Sequence, residues 1–405
     1  MSEAGGLRRE TLRLGASQTL AWASSYYLPA TLAEPMARSL GMGVPTVFAA
    51  FSGALLVAAL IGPVAGRAID RRGGRSVLMW SNGVFALGLS SLAAAQGAIG
   101  LFLAWALIGV AMGMGLYEAA FASLVRARGA QARSAITQVT LIAGFASTVG
   151  WPLTTWLASQ WDWRTAVLAW AALHLLLGLP LNAGLRRHSV APERSVTGAV
   201  HTTIAPSHGS QVSIRLALAV AMGFAISAFI GTAMAAHLPS MLKTAGASAA
   251  LAVTAAALLG PAQVAARLME SLLQRHGSVL VVACVAAALH PLAALALMVL
   301  GPMAAIPFAI LHGAGNGLMT IVTGALPLAV FGSRGYGERQ GWLMAPARMA
   351  QALAPWAFAG LLAPLGVHAL VVTAVGGLLT FALFSSIAVG RSRESRLVAQ
   401  TQQNT

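Results

Sequence analysis

GRAIDRRGGR, residues 66–75, is the stretch on which the reading of this chain turns. Arg67, Asp70, Arg71, Arg72 and Arg75 stand among Gly66, Gly73 and Gly74, and the sequence on either side is apolar for the length of a bilayer crossing. Glycine lets a chain turn tightly between helices. Fixed charges of both signs can pair in one conformation and part in another, whereas a plain basic turn needs only arginine to hold a loop on the cytoplasmic side.

A crossing takes roughly 20 mostly apolar residues. On that rule the sequence predicts an all-α integral membrane protein with twelve transmembrane helices, near 14–34, 44–66, 77–95, 99–123, 135–158, 165–184, 214–240, 247–270, 278–297, 302–327, 340–363 and 367–390. Composition agrees. With 58% hydrophobic and 9% charged residues and a mean hydropathy of +0.76, the chain has too little polar surface to cover a soluble globule. A net charge of +15 would suggest nucleic acid in a soluble protein, but here the 25 basic residues, all arginine except Lys243, lie mostly in short loops.

Those loops alternate. Basic residues gather at the N-terminus (Arg8, Arg9, Arg13), after the second stretch, and after the fourth (Arg126, Arg128, Arg133). The pattern continues with Arg186, Arg187 and Arg194, then Arg275, then Arg334 and Arg339, then Arg391, Arg393 and Arg396, while the opposite side holds only Arg38, Arg164 and Lys243. This is the positive-inside asymmetry, and it predicts a multi-pass protein of the inner membrane with both termini cytoplasmic. The basic opening segment, MSEAGGLRRETLR, reads as part of a retained first helix and not as a signal peptide. The single cysteine, Cys284, excludes a disulfide framework and a cysteine metal site.

The longest polar stretch, 186–213, divides the chain into a first six-helix half (1–185) and a second (214–390), followed by a cytoplasmic tail (391–405). Weak echoes join the halves. Gly113, Gly115 and Leu116 recur as Gly315, Gly317 and Leu318, and Gly62–Pro63 recurs as Gly260–Pro261. Such repeats imply two pseudo-symmetric bundles rocking about a central pathway.

The 66–75 loop resembles the one that the major facilitator superfamily of transporters carries after its second helix. The runs GLYEAAFASLVRARG (115–129), ARSAITQVTLIAGFASTVGWP (132–152) and WDWR (161–164) resemble the layout of bacterial monocarboxylate and oxalate–formate type members. The resemblance implies a secondary transporter working by alternating access, monomeric in lipid, and no enzyme. It further implies a gate in which Asp70, Arg71 and Arg75 act together with Glu118 and Arg126.

The candidate site residues follow from the cost of charge in the membrane, about 2.5–3.5 kcal/mol on insertion scales. Glu118 reads first as a gate ion pair with the loop arginines and second as a proton carrier. Arg267 resembles the substrate-binding arginine of monocarboxylate carriers, with Gln263 where an aspartate would stand; it reads equally as an arginine snorkelling to the interface or paired with Glu270. Arg348, Tyr26, Tyr27, His312 and Asn316 complete the substrate-site expectation, with Gln18 a further polar side chain on the first stretch. His237 and His312 are proton-coupling candidates because histidine titrates near neutrality. The expected cargo is a small organic anion such as a monocarboxylate, with a coupling proton. The rival readings are an exporter of a toxic compound and, in another class, a polytopic membrane enzyme or a sensor. No phosphate-binding Gly–Lys loop, HExxH pair or catalytic set occurs, so the sequence predicts no cofactor, no metal and no ATP-driven step.

Overall fold

The computed structural model describes residues 3–186, 214–273 and 278–403, with side chains described between 8 and 390. Among these residues every element is helical. Eight continuous helical stretches are long and apolar enough to cross a membrane. Three of them, Ala98–Gln160, Val279–Phe331 and Tyr336–Gly390, run to 63, 53 and 55 residues, each enough for two crossings at 1.5 Å per residue. Together with the first helix, which carries several polar residues, they make twelve rods.

In the first half, α1 consists of Glu3–Ser24 and Pro29–Ser39, α2 is Val44–Arg72 and α3 is Gly74–Ala94. Next come α4 (Ala98–Gly115 and Tyr117–Arg128), α5 (Ala132–Ala143 and Ala146–Gln160) and α6 (Trp163–Leu173, a π-turn at His174–Gly178, and Leu179–Ala183). The second half holds α7 (Ile214–Thr244), α8 (Ala249–Leu273), α9 (Val279–Leu300), α10 (Ala305–Phe331), α11 (Tyr336–Leu365) and α12 (Leu370–Gln403). The expected linker beyond Arg186, with Arg187 and Arg194, and the loop arginine Arg275 lie outside the described residues.

Local chemistry accounts for the breaks. Pro29 lacks an amide donor and restarts α1 after a turn, and Pro180 sits in the first turn of the last α6 piece, directly after the π-turn. In α4 the backbone swings out at Leu116 (φ −83°, ψ −168°), just past Gly113 and Gly115. The Gly115 carbonyl left free there accepts from the Gln18 amide at 2.7 Å. Gln18 is therefore fully buried and occupied as a helix-break partner.

Each bundle carries two buried apolar clusters, one towards either end. At the end bearing the basic loops, the first bundle's cluster of Ile69, Val77, Phe121, Leu124 and Ile136 also takes in Leu328 and Tyr336 from the second bundle. Outside, the surface stays apolar: Leu60, Trp80, Ile99, Met303 and Trp356 are all more than 70% exposed, as a lipid-facing surface requires. The structure displaces the expected repeat register by two residues. Gly113 packs on α2 as Gly313 packs on α8, and Gly115 packs on α3 as Gly315 packs on α9.

Candidate functional site

At the basic end the bundles meet first along α2 and α11. Gly62 and Gly66 on α2 face Gly341 and Gly337 on α11, each pair one turn apart, so that two GxxxG segments cross backbone to backbone. A Cβ on Gly66 would run into the Gly337 carbonyl, and one on Gly341 into Pro63. Below this crossing the Asp70 carboxylate accepts from the amides of Gly337 and Glu338, both at 2.9 Å. These are among the first amides of α11, left without partners by the helix itself and at its positive dipole end. Gly335, at φ 62°, makes the turn that presents them. Arg67 adds an ion pair to Glu338 at 2.9 Å, half-exposed on both sides.

The second crossing joins α5 to α8. Glu270, with its side chain 3% exposed, accepts from Arg133 at 2.8 Å and from the Thr137 hydroxyl at 3.2 Å. One turn further in, Arg267 is 5% exposed. Its guanidinium donates to the carbonyls of Thr140 (3.0 Å) and Gly317 (3.2 Å), to Gln263 Oε1 (3.3 Å) and to Thr320 Oγ1 (3.2 Å). All four acceptors are neutral. Thr140 lies in the last turn before the break in α5, and Gly144 at that break leaves room for the guanidinium, since a Cβ there would meet Nη1.

Between these crossings lies another interior ion pair. Arg348 Nη2 donates to both oxygens of Glu118, at 2.8 and 3.0 Å, with side-chain exposures of 7% and 14%. Gln351 accepts from the other end of the guanidinium at 3.0 Å, and the Trp22 ring lies 5.6 Å from its carbon. Glu118 sits in the first turn of the second α4 piece, where the helix dipole favours a carboxylate. Its ten-residue separation from Arg128 puts it about 15 Å inside the basic end.

Several expectations are corrected by these contacts. Glu118 pairs with Arg348 across the bundles and not with the loop arginines, because it stands two turns too deep to reach them. Arg348 is thereby committed to an ion pair. Arg267 neither snorkels nor pairs with Glu270, whose carboxylate is taken by Arg133. Among the described residues of the loop, the side chains of Asp70 and Arg67 reach the other bundle. Arg75 donates to the Ala183 carbonyl at 2.7 Å, inside the first bundle. The Arg71 side chain is exposed, and its carbonyl, like that of Asp70, is braced by Arg126.

Other candidates scatter. Tyr26 reaches Thr232 on α7 at 3.4 Å. The Tyr27 carbonyl accepts from the Trp151 indole at 3.3 Å. Asn316 lies against Gly231 on α7. His237 donates to the Pro355 carbonyl at 2.8 Å. His312 shares a 3.1 Å Nδ1 to Nδ1 hydrogen bond with His290, both buried inside the second bundle. Sequence reasoning did not assign the pairs Arg67–Glu338 and Arg133–Glu270 or the GxxxG on α11. The i, i+4 spacings of Arg133 with Thr137 and of Gly337 with Gly341 were the signals available.

The chain matches the model of the Major Facilitator Superfamily over residues 14–311. It is 32% identical over 194 residues, 46% of its own length, to an uncharacterized 38 kDa protein in the 23S RNA operon of Thermoproteus tenax, and it spans about half the length of that relative (50%). Its fold is similar to that of the transporter FucP in the outward conformation (TM-score 0.71, 12% identity, 92% of this chain and 97% of that one). It is also similar to the proton:xylose symporter XylE (0.72, 14%, 95% and 96%) and to the human organic anion transporter MFSD10 (0.63, 15%, 95% and 100%).

Proposed function

Because the chain belongs to the major facilitator superfamily, we propose that this secondary transporter carries a small organic anion, bound at Arg267 and released by alternating access. The loop asymmetry supports placing the basic end in the cytoplasm of an inner membrane, so the arrangement described is the one closed to the cytoplasm. Asp70, with Arg126 bracing its loop, holds that closure.

The observation that carries the substrate reading is Arg267 itself. An isolated charge withdrawn from water is expensive unless an opposite charge or a full set of hydrogen bonds meets it. Arg267 has hydrogen bonds to carbonyl, amide and hydroxyl oxygens, and among the described residues no acid lies within ion-pair distance. Its surroundings leave a net positive charge between the bundles. A carboxylate entering from the pathway gains a charge-assisted contact and competes with Thr140 for Nη1, which loosens the α5–α8 crossing from inside. Arg348 has no such freedom while Glu118 is ionised. A proton arriving on Glu118 removes the charge that Arg348 pairs with, frees a second guanidinium for the anion and weakens a link between the bundles. Coupling of anion and proton follows from that exchange.

The test is uptake of labelled organic acids into proteoliposomes at two pH values. Arg267→Ala abolishes uptake at both, with folding checked by circular dichroism and size-exclusion chromatography, and Glu118→Gln removes the dependence on the pH gradient. Wild-type uptake by Arg267→Ala would overturn the assignment.

A further inference from the structure

The second bundle supplies the cation of this site, and the first bundle supplies something different to the same space. Trp22, Tyr26 and Tyr27 of α1, Phe51 of α2, Tyr117 of α4 and Trp151 of α5 form one connected aromatic surface. Its ring centroids are 5.2 Å apart for Trp22–Tyr26, 4.8 Å for Trp22–Tyr117, 5.5 Å for Tyr26–Tyr27, 5.6 Å for Tyr26–Phe51 and 5.8 Å for Tyr27–Trp151. The chain has 4 tyrosines, and three of them stand here.

The rings of α1, α2 and α4 pack against the bundle's core but are less enclosed than the core itself. Phe85, Trp105 and Phe121 belong to that core at 1% exposure or less, whereas Trp22, Tyr26, Tyr27, Phe51 and Tyr117 are half-buried and Trp151 is 44% exposed. The polar tips are also unspent. The Trp22 indole N–H is shut off from solvent with no acceptor, and among the described residues no hydrogen bond engages the hydroxyls of Tyr27 and Tyr117. A buried Trp or Tyr normally finds a partner for its polar tip. Arg267 Nη1 lies where a Cβ on Gly144 of α5 would stand, two turns from Trp151 on the same helix. Three unspent donors and an aromatic wall thus stand on the first bundle's side of the bundle interface, and the full positive charge of Arg267 stands on the second's.

We propose that the transported anion is an aromatic carboxylate, its ring received by the Trp22, Tyr27, Tyr117 and Trp151 wall of the first bundle and its carboxylate by Arg267 of the second. Edge-to-face contacts make such a wall selective for a flat ring over a saturated one of equal size, and charge complementarity selects the acid over the amine. A ligand of this shape bridges the two bundles, as a solute that drives their rocking must. The proposal rests on the assignment of Arg267 as the anion contact.

The experiment keeps the two apart. Purified transporter is titrated with benzoate, cyclohexanecarboxylate, acetate and benzylamine, with thermal stabilisation and tryptophan fluorescence as readouts. Benzoate is expected to bind roughly 3- to 10-fold more tightly than cyclohexanecarboxylate, the range that one or two extra aromatic contacts supply, with acetate weaker still and benzylamine without effect. Tyr117→Leu is expected to erase the preference for benzoate and Tyr117→Phe to retain most of it. Equal or tighter binding of cyclohexanecarboxylate, or an unchanged preference in Tyr117→Leu, overturns the aromatic assignment and leaves Arg267 standing. Failure of every carboxylate to bind, or binding of benzylamine, overturns both.

Discussion

Where α2 meets α11 the bundles touch through glycine and backbone, and where α5 meets α8 they touch through charged and hydroxyl side chains. The same end of the molecule is closed by two unlike contacts. The repeat makes the difference instructive, since both α2 and α8 carry a Gly–Pro step. In α2, Gly62 faces Gly341 and Pro63 is buried; in α8, a Cβ on Gly260 would meet open space and Pro261 is exposed. The inherited step became a packing surface in one seam only. Backbone contact admits no intermediate: the helices touch or they do not. A seam of side chains can yield one hydrogen bond at a time, and the α5–α8 seam contains Arg267, so on the proposed function it is the one a bound anion weakens.

The strongest break in that comparison comes from bulk at the glycine crossing. Gly66→Leu or Gly337→Leu places a side chain where the opposing backbone stands, and overpacking against a surface that cannot give costs about 3 kcal/mol or more. The closed arrangement should fall at least ~100-fold in population. Spin labels at Arg72→Cys and Arg334→Cys, in a Cys284→Ser background, should report separation of the basic ends by electron–electron resonance. An unchanged distance would mean that the crossing is not what holds the end shut.

The side-chain seam should respond less and by itself. Arg133→Ala leaves Glu270 buried without its cation. That is expensive in a sealed interior, but Arg133 is 24% exposed, so water screens part of the loss and about 1–3 kcal/mol is expected. Glu270→Gln, which keeps a hydrogen-bond acceptor for Arg133 and Thr137, should cost less. Labels at Gln131→Cys and Leu273→Cys should separate in Arg133→Ala while those at Arg72→Cys and Arg334→Cys keep their distance. If both pairs separate together, the two seams are one latch.

The fold was largely legible because each crossing is a contiguous apolar run, and the 66–75 loop marked its own position by mixing one acid with glycine and arginine. What stayed hidden were partners that share no sequence neighbourhood. Glu118 was visible as an interior acid, but nothing local says that Arg348, 230 residues on, arrives beside it. Its depth was misjudged because α4 was read as one helix, whereas the break at Leu116 makes Glu118 the opening turn of a second piece. Arg71 and Arg75 were grouped with Asp70 by the resemblance of the whole loop. The helix end separates them, sending Asp70 to α11 and Arg75 to Ala183. Tyr26 and Tyr27 were visible singly, and their aromatic partners on α2, α4 and α5 were not.

The smallest expected effect sharpens the comparison from the charged side. Arg67 and Glu338 form an ion pair within the glycine seam, at 2.9 Å, but with side chains 44% and 40% exposed. Exposed pairs contribute roughly 0.2–1 kcal/mol and are screened by salt, so Arg67→Ala should shift the closed population by no more than about fivefold. The glycine crossing and the Asp70 contact to the Gly337 and Glu338 amides remain intact in that variant. Raising the salt to 1 M, where the Debye length falls to about 3 Å, should reproduce the effect in the unaltered protein and add nothing in Arg67→Ala. The distance between labels at Arg72→Cys and Arg334→Cys, followed against ionic strength, checks this. A steep salt dependence that survives Arg67→Ala would place electrostatics, and not backbone packing, at the base of the α2–α11 seam.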